Sequence, residues 1–570
     1  QRWTSPIIDH GRELNLPARL LTGEQLYVDV HYLYGPLAPH LNALLYGIFG
    51  THLSVLHFSG MLCGAIILVL VYAIARQLMP TVPACLTVLM VLVVCAIKAT
   101  ANYIMPYSFG ALYALVFALG ALLCSIVYVR RKNRWWLGCA GLLSGAVLTS
   151  KLEITLPAIA AAGLAWCINS FQKRKIQWFD LALLILPLVL INFIVFGLVL
   201  KQVPLNVLLE DNRLLFTNMP EQLYYFNQRV SGLADWPRGL AASIAGSTLW
   251  IAVCGLCALI GLLIAKRNQA QSNKSQERWH KPLIASLSGF ILWALIVFSF
   301  NLRSDASPLT GGLLLLIAII VWAGWRVVRQ QDARAPVMLI ISIFALGSIA
   351  RVFLNVTVSS TYSPFFLPAV IIVYLYVLFE IAPKTLLNSK QAQKKAVSAA
   401  VVLMLIAVIA TAFGTARRVR RKYNYQVITA RGSFYTTQEI GLPAAQILRW
   451  IETETLPEDH VLIIPQGTSL NFLSARRSPF AEEILLPGFV AGEAEQQAIQ
   501  KLDAERVPWI IIENFPSDEF QQAIFGRDYN QQLVEWINQK YVPVAKFPNP
   551  AHQSTASDFS LTIYKLEPQR

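Results

Sequence analysis

Residues 53–75 read LSVLHFSGMLCGAIILVLVYAIA, a run of 23 positions without a charged side chain, closed by Arg76. A hydrocarbon core about 30 Å thick needs about 20 apolar residues in a helix, so this stretch is long enough to span a bilayer. The same ruler finds eleven more stretches: 81–97, 106–129, 135–150, 153–170, 179–200, 239–265, 282–300, 310–327, 336–353, 363–382 and 396–414. Composition points the same way. Of 570 residues, 55% are hydrophobic and only 14% charged, with a mean hydropathy of +0.52. A soluble chain cannot keep that much apolar surface out of water. Disordered, coiled-coil, collagen-like and disulfide-scaffold classes are excluded with it. The expected fold class is an α-helical polytopic membrane protein of about 12 spans with a C-terminal soluble α/β domain.

Three parts follow: a first outer loop (1–52), a multi-span domain (53–414) and a soluble domain (415–570). In the last part Ala444, Ile447, Leu448 and Ile451 have helical spacing, and 496–506 and 531–540 suggest further helices. Segments 461–464, 509–512 and 560–564 read as short strands. No phosphate-binding loop, dinucleotide fingerprint or Ser/His/Asp arrangement occurs there. The net charge of +15 is uneven, because from Thr415 onward 16 Lys and Arg meet 18 Asp and Glu. The basic excess therefore lies in the membrane part, as charged loops do, and no basic stripe points to nucleic acid.

Alternate loops divide the basic residues 20 to eight. The richer set, including Arg130 to Arg134, Lys173 to Lys175 and the run 266–281, is expected on the cytoplasmic side. An even span count then puts the first loop and the soluble domain together on the outer side of a bacterial inner membrane or plasma membrane. Arg417, Arg418, Arg420, Arg421 and Lys422 follow the last span on that outer side and run against the rule. They are expected either to be tolerated late in the topology or to meet lipid phosphates. All eight cysteines fall in apolar segments, Cys254 and Cys257 in mid-span, and read as packing residues.

Carboxylates are the informative groups. Ten of the 14 in the first 414 residues fall on the expected outer side, and none sits clearly at the middle of a span. Ion-coupled carriers place ionisable groups near the midplane, so the pattern points to chemistry at the outer interface. The first loop reads Asp9-His-Gly-Arg12-Glu13, Gly23-Glu-Gln-Leu-Tyr27-Val-Asp29 and Tyr32-Leu-Tyr34-Gly35-Pro36-Leu-Ala-Pro39. On a helix Asp9 and Glu13 share a face with Arg12 beside them. Gly35-Pro36 and Pro39 are expected to turn the chain back to the membrane. His10, His31, His40, His52 and His57 crowd the region without tight ligand spacing, so no metal is assigned. The loop 201–238 holds Glu210-Asp211, Tyr224-Tyr225 and Trp236, read as a solvated loop before an acceptor groove.

This first loop resembles that of the GT-C glycosyltransferases, which include protein O-mannosyltransferases and lipid A aminoarabinose transferases. The likeness is strongest over Asp9–Gly50, with further echoes at Thr149-Ser-Lys151-Leu-Glu153 and at Arg351 with Tyr362-Ser-Pro364-Phe-Phe-Leu-Pro368. Asp9-His10 stands where the mannosyltransferases carry Asp-Glu, which leaves the subfamily open. The family's first helix has no counterpart before Gln1, an expectation of missing upstream sequence or a removed signal segment.

The resemblance implies a sugar donor on a polyprenyl phosphate and an outer-face acceptor: lipid, envelope glycan or protein. A hydroxyl acceptor needs a carboxylate base. The departing phosphate needs a cation or metal; the residues leave a divalent cation open and require no cofactor. Inverting single displacement needs no covalent carboxylate nucleophile. Asp9 is the expected base, with Asp29 as second catalytic acid. Glu13, Arg12, Tyr34, Lys151, Glu153, Arg351 and Tyr362 are expected to bind substrate. Each has an ordinary alternative: a loop cap for Asp9 and Asp29, an ion pair for Lys151 with Glu153, snorkelling for Arg351, and interface anchoring for Tyr34 and Tyr362. The rival classes are a lipid or polysaccharide transporter and a structural subunit of an envelope complex.

Overall fold

The computed structural model describes residues 5–7, 10–97, 102–208, 313–329, 332–350, 363–386, 389–514, 524–548 and 559–567, with a few positions between 236 and 252. Asp9, Arg351, Tyr362, Cys254, Cys257 and most of 201–238 lie outside the described residues, as do 282–300 and most of 239–265.

The chain is a helical membrane bundle followed by a small α/β unit. Among the described residues, six helices are long and apolar enough to cross a bilayer: Leu53–Ala75, Phe109–Arg131, Leu152–Gln172, Trp178–Val199, Pro364–Lys384 and Gln393–Lys422. Shorter apolar helices occupy Thr81–Ala96, Trp135–Leu148, Leu313–Val328 and Ala335–Ile349. Trp135–Leu148 has 14 residues, and at about 1.5 Å per residue it covers only about two thirds of a hydrocarbon core. Small residues let helices close on one another. At Gly141 a Cβ would lie 2.1 Å from the Leu184 carbonyl oxygen of the next helix but one, so only glycine fits that crossing.

Two helices precede the bundle, α1 (Gly11–Leu21) and α2 (Leu37–Phe49). Of the residues expected to turn the chain back, Pro39 lies not in the turn but in a helix. It sits in the first turn of α2 after Pro36 as N-cap, where its missing N–H is not needed. Leu44, Ile48 and Phe49 on α2 are exposed apolar residues.

The last bundle helix, α3 (Lys390–Lys422), runs directly into the tail. A hairpin of β1 (Tyr425–Thr429) and β2 (Gly432–Thr436) comes first, and the Leu53 N–H donates to the Arg431 carbonyl at 2.8 Å. The main sheet has the order β3-β4-β6-β5, from Val461–Ile464, Trp509–Asn514, Ser560–Leu566 and Tyr541–Pro548. β3 and β4 are parallel, and the other pairs antiparallel. Helices Gln438–Glu454, Glu493–Glu505 and Gln531–Lys540 cover it. The short helix α4 (Thr468–Ser474) packs on α1, with Gly11 pressed against Thr468 and Ser469.

The first loop and the tail therefore meet at one end of the bundle. The Arg19 guanidinium donates to Glu483 and to the Phe480 carbonyl, both at 2.7 Å, and to Glu24. Asn15 donates to both Glu483 oxygens at 3.1 and 3.2 Å. Burial raises the Glu483 carboxyl above its ordinary range, and Arg19 and Asn15 only partly offset this. His31 pairs with Glu482 at 3.1 Å.

Candidate active site

The segment Tyr34-Gly35-Pro36-Leu37 lies along Thr149-Ser150-Lys151, the tight connection between Trp135–Leu148 and Leu152–Gln172. The Leu37 N–H donates to the Thr149 carbonyl at 3.1 Å, and the Gly35 N–H to the Ser150 carbonyl at 3.3 Å. Gly35 is required there, since a Cβ would lie 2.0 Å from the Thr149 oxygen. Two of the three sequence echoes thus become one structure.

Lys151 stands at their junction with only 1% of its surface exposed. Its ammonium donates to the Tyr107 hydroxyl at 2.7 Å and lies 4.1 Å from the Tyr34 ring centroid and 4.6 Å from that of Tyr107. The alternative ion pair with Glu153 is not made, and among the described residues no carboxylate pairs with Lys151. Aromatic faces and one hydroxyl are a thin environment for a buried cation.

The ammonium opens on a cleft lined by Tyr107, Lys151, Glu153, Ser348, Phe365 and Phe366, with Ala111, Ile154, Pro157 and Gly347. Glu153 is exposed. The third sequence echo begins three residues after Ser348 and itself supplies Phe365 and Phe366, although Arg351 and Tyr362 themselves are not described.

Arg12 and Glu13 form a second layer beside Tyr34. The Arg12 guanidinium lies 5.0 Å from the Tyr34 ring and 5.6 Å from Tyr32, and 3.5 Å from Glu13. Burial opposes the Arg12 charge, but Tyr34, Glu13 and Tyr32 outweigh it and hold the guanidinium above its ordinary value. One Glu13 oxygen accepts the Phe109 N–H at 2.8 Å, at the start of Phe109–Arg131, and the other accepts from the Tyr32 hydroxyl at 3.4 Å. Burial, then Glu13, pushes that hydroxyl well above its usual range. Glu13 is thus a helix-terminus acceptor as well as a neighbour of the site.

Asp29 is not brought to the cleft. It is exposed, and its carboxylate accepts the Gln25 N–H at 2.7 Å, closing the turn 25–30. The histidines have separate partners: His10 the Met105 carbonyl, His40 the Pro36 carbonyl, and His31 Glu482. Among the described residues no three His, Cys, Asp or Glu converge. Sequence reasoning missed Tyr107, which it placed inside a span. The signal available was Pro106-Tyr107-Ser108, a helix-start pattern in which Ser108 caps the Ala111 N–H.

The fold and sequence together define a polytopic membrane protein: a folded first loop, a multi-span bundle and an α/β tail. The sequence model of the dolichyl-phosphate-mannose-protein mannosyltransferase family matches residues 34–196. That segment runs from Tyr34 through Tyr107 to Lys151 and Glu153. Among solved structures, 17 chains match. The oligosaccharyltransferase of Archaeoglobus fulgidus is 14% identical, with a TM-score of 0.45 over 89% of this chain and 64% of that one. ArnT from Cupriavidus metallidurans bound to undecaprenyl phosphate is 14% identical, with a TM-score of 0.43 over 98% of this chain and 94% of that one. The chain thus spans just under two thirds of the archaeal enzyme's length. The curated proteins gave no match.

Proposed function

We propose that this protein is a membrane glycosyltransferase that moves a sugar from a polyprenyl-phosphate donor to an acceptor at the face carrying the first loop and the tail. The observation that carries the reading is the buried Lys151 ammonium. It faces a cleft and has no carboxylate partner among the described residues, within the segment matched by the mannosyltransferase family. A buried cation without a counter-ion is costly, and an anionic ligand removes the cost.

The donor phosphate meets Lys151, with Tyr34 and Tyr107 fixing the direction of its N–H groups. As the bond to the anomeric carbon breaks, negative charge grows on the phosphate, and a fixed ammonium there lowers the barrier. Glu153 accepts hydroxyls of the sugar across the cleft. Arg12 and Glu13 hold Tyr34 in place. Asp9 is the base that takes the acceptor proton, Arg351 a second phosphate ligand and Tyr362 a wall of the site. Asp29 serves by closing its turn, not as a base. The acceptor attacks opposite the departing phosphate and inverts the anomeric carbon. Lys151 supplies the positive charge, so the reading calls for no divalent cation. Turnover in EDTA equal to that in Mg²⁺ is the expected outcome, and loss restored by Mg²⁺ assigns a metal.

The deciding experiment is transfer of labelled sugar from undecaprenyl-phosphate and dolichyl-phosphate donors to envelope fractions by purified protein. The Asp9→Asn variant is run beside it. Transfer that falls to background in the variant supports the reading. Lipid movement between leaflets without transfer, unchanged by Asp9→Asn, sinks it.

A further inference from the structure

Helix α3 carries no charged residue over positions 396–416. That stretch rises about 31 Å at about 1.5 Å per residue, which is one hydrocarbon core. Arg417, Arg418, Arg420, Arg421 and Lys422 follow at once, five cations in six residues. They occupy the first 10 Å or so beyond the apolar stretch, the depth of the lipid headgroups. At about 100° per residue they fan over about 200° of the helix circumference. Val419, inside the run, and Tyr423, after it, are buried on the opposite arc and continue the buried stripe of Met404 and Val408. All five cations are exposed, and none pairs with a carboxylate among the described residues. Lys422 lies over the Tyr423 ring at 5.3 Å.

The helix dipole favours cations in a last turn, but it does not account for five of them spread around the arc that turns away from the protein. Nor do they serve as a topological signal, because they sit at the end of the bundle where the loops are poor in Lys and Arg. Mutual repulsion of five neighbouring cations needs anions to offset it.

We propose that this arc is a binding surface for the headgroups of anionic phospholipids in the leaflet bordering the tail. The inference is independent of the transfer reaction and is tested without it. The full-length protein is reconstituted in vesicles of phosphatidylcholine with a minority of phosphatidylglycerol, extracted gently, and its retained lipids are counted by native mass spectrometry. Each basic residue near an anionic surface multiplies affinity about fivefold. The variant Arg417→Gln, Arg418→Gln, Arg420→Gln, Arg421→Gln, Lys422→Gln is therefore expected to retain at least about tenfold less phosphatidylglycerol. Its phosphatidylcholine should be unchanged. High salt should reproduce the loss in the wild type. A second variant with Lys at all four Arg positions keeps the charge and should retain phosphatidylglycerol. It decides the matter if the Gln variant does not fold. Equal retention of phosphatidylglycerol by the Gln variant overturns the proposal. So does a wild type that does not discriminate the two lipids, or a Lys variant that loses the anionic one.

Discussion

Substituting Gly35 by Ala tests the junction on which the site rests. The new methyl would lie 2.0 Å from the Thr149 oxygen and 2.4 Å from its carbonyl carbon, where ordinary contact begins at 3.4 Å. The segment 34–36 or the connection 149–151 must retreat by more than about 1 Å, a displacement that can cost about 100-fold in rate when it moves a catalytic group. The bonds from Gly35 and Leu37, at 3.3 and 3.1 Å, would be stretched, and the Tyr34 ring would leave the Lys151 ammonium it now meets at 4.1 Å. Overpacking of this kind costs about 1–3 kcal/mol, so the fold should survive with a lowered melting temperature. The assay is sugar transfer in membranes, measured beside thermal unfolding. Gly163→Ala is the control, since its added methyl meets nothing within 4 Å. Turnover is expected to drop about 100-fold for Gly35→Ala and to stay unchanged for Gly163→Ala. A Gly35→Ala protein that turns over within about threefold of wild type would refute the reasoning that the junction sets the site.

Three further outcomes follow from the same structure. Lys151→Met removes the one cation that lines the cleft among the described residues and should lower turnover by about 10²–10³-fold with little change in the melting temperature, read by single-turnover transfer. Arg19→Ala leaves Glu483 buried without its ion partner and should destabilise the contact between loop and tail by about 3 kcal/mol, visible as protease cleavage in residues 10–35. Glu513 is buried in β4, and burial pushes its carboxyl from 4.5 up to about 8. The folded protein then holds a proton that the unfolded chain releases, so this group's effect is least unfavourable below pH 4.5. Stability falls as pH rises, and the loss levels off above about 8. Glu513→Gln should flatten that dependence and raise stability at neutral pH by about 3 kcal/mol, measured by denaturant unfolding between pH 4 and 9.

Much of this was legible in the sequence because its causes are local. A stretch such as 53–75 spans by length and apolarity alone, and strands 461–464 and 509–512 declare themselves by β-branched runs between turn signals. The motifs Tyr34-Gly35-Pro36 and Thr149-Ser150-Lys151 were each visible, but their meeting depends on how Trp135–Leu148 and Leu152–Gln172 fold back. No local pattern encodes that. Tyr107 was hidden by hydropathy, which extends a span through any aromatic residue. Pro39 was misread because proline marks both a turn and a first helical turn, and only the N-cap at Pro36 distinguishes them. Asp29 drew notice as an acid, whereas its partner four residues back, the Gln25 N–H, is a backbone group that sequence does not single out.

The clasp of Arg19 on Glu483 also sets an order of events during synthesis. The two residues are 464 positions apart, and ribosomes add about 5–20 residues per second. For about half a minute or more, the opening loop emerges, the bundle is inserted helix by helix, and Arg19 still has no Glu483 to hold it. The opening loop can settle only after most of the tail has been made. Quality control that inspects this loop would thereby read whether translation had passed Glu483.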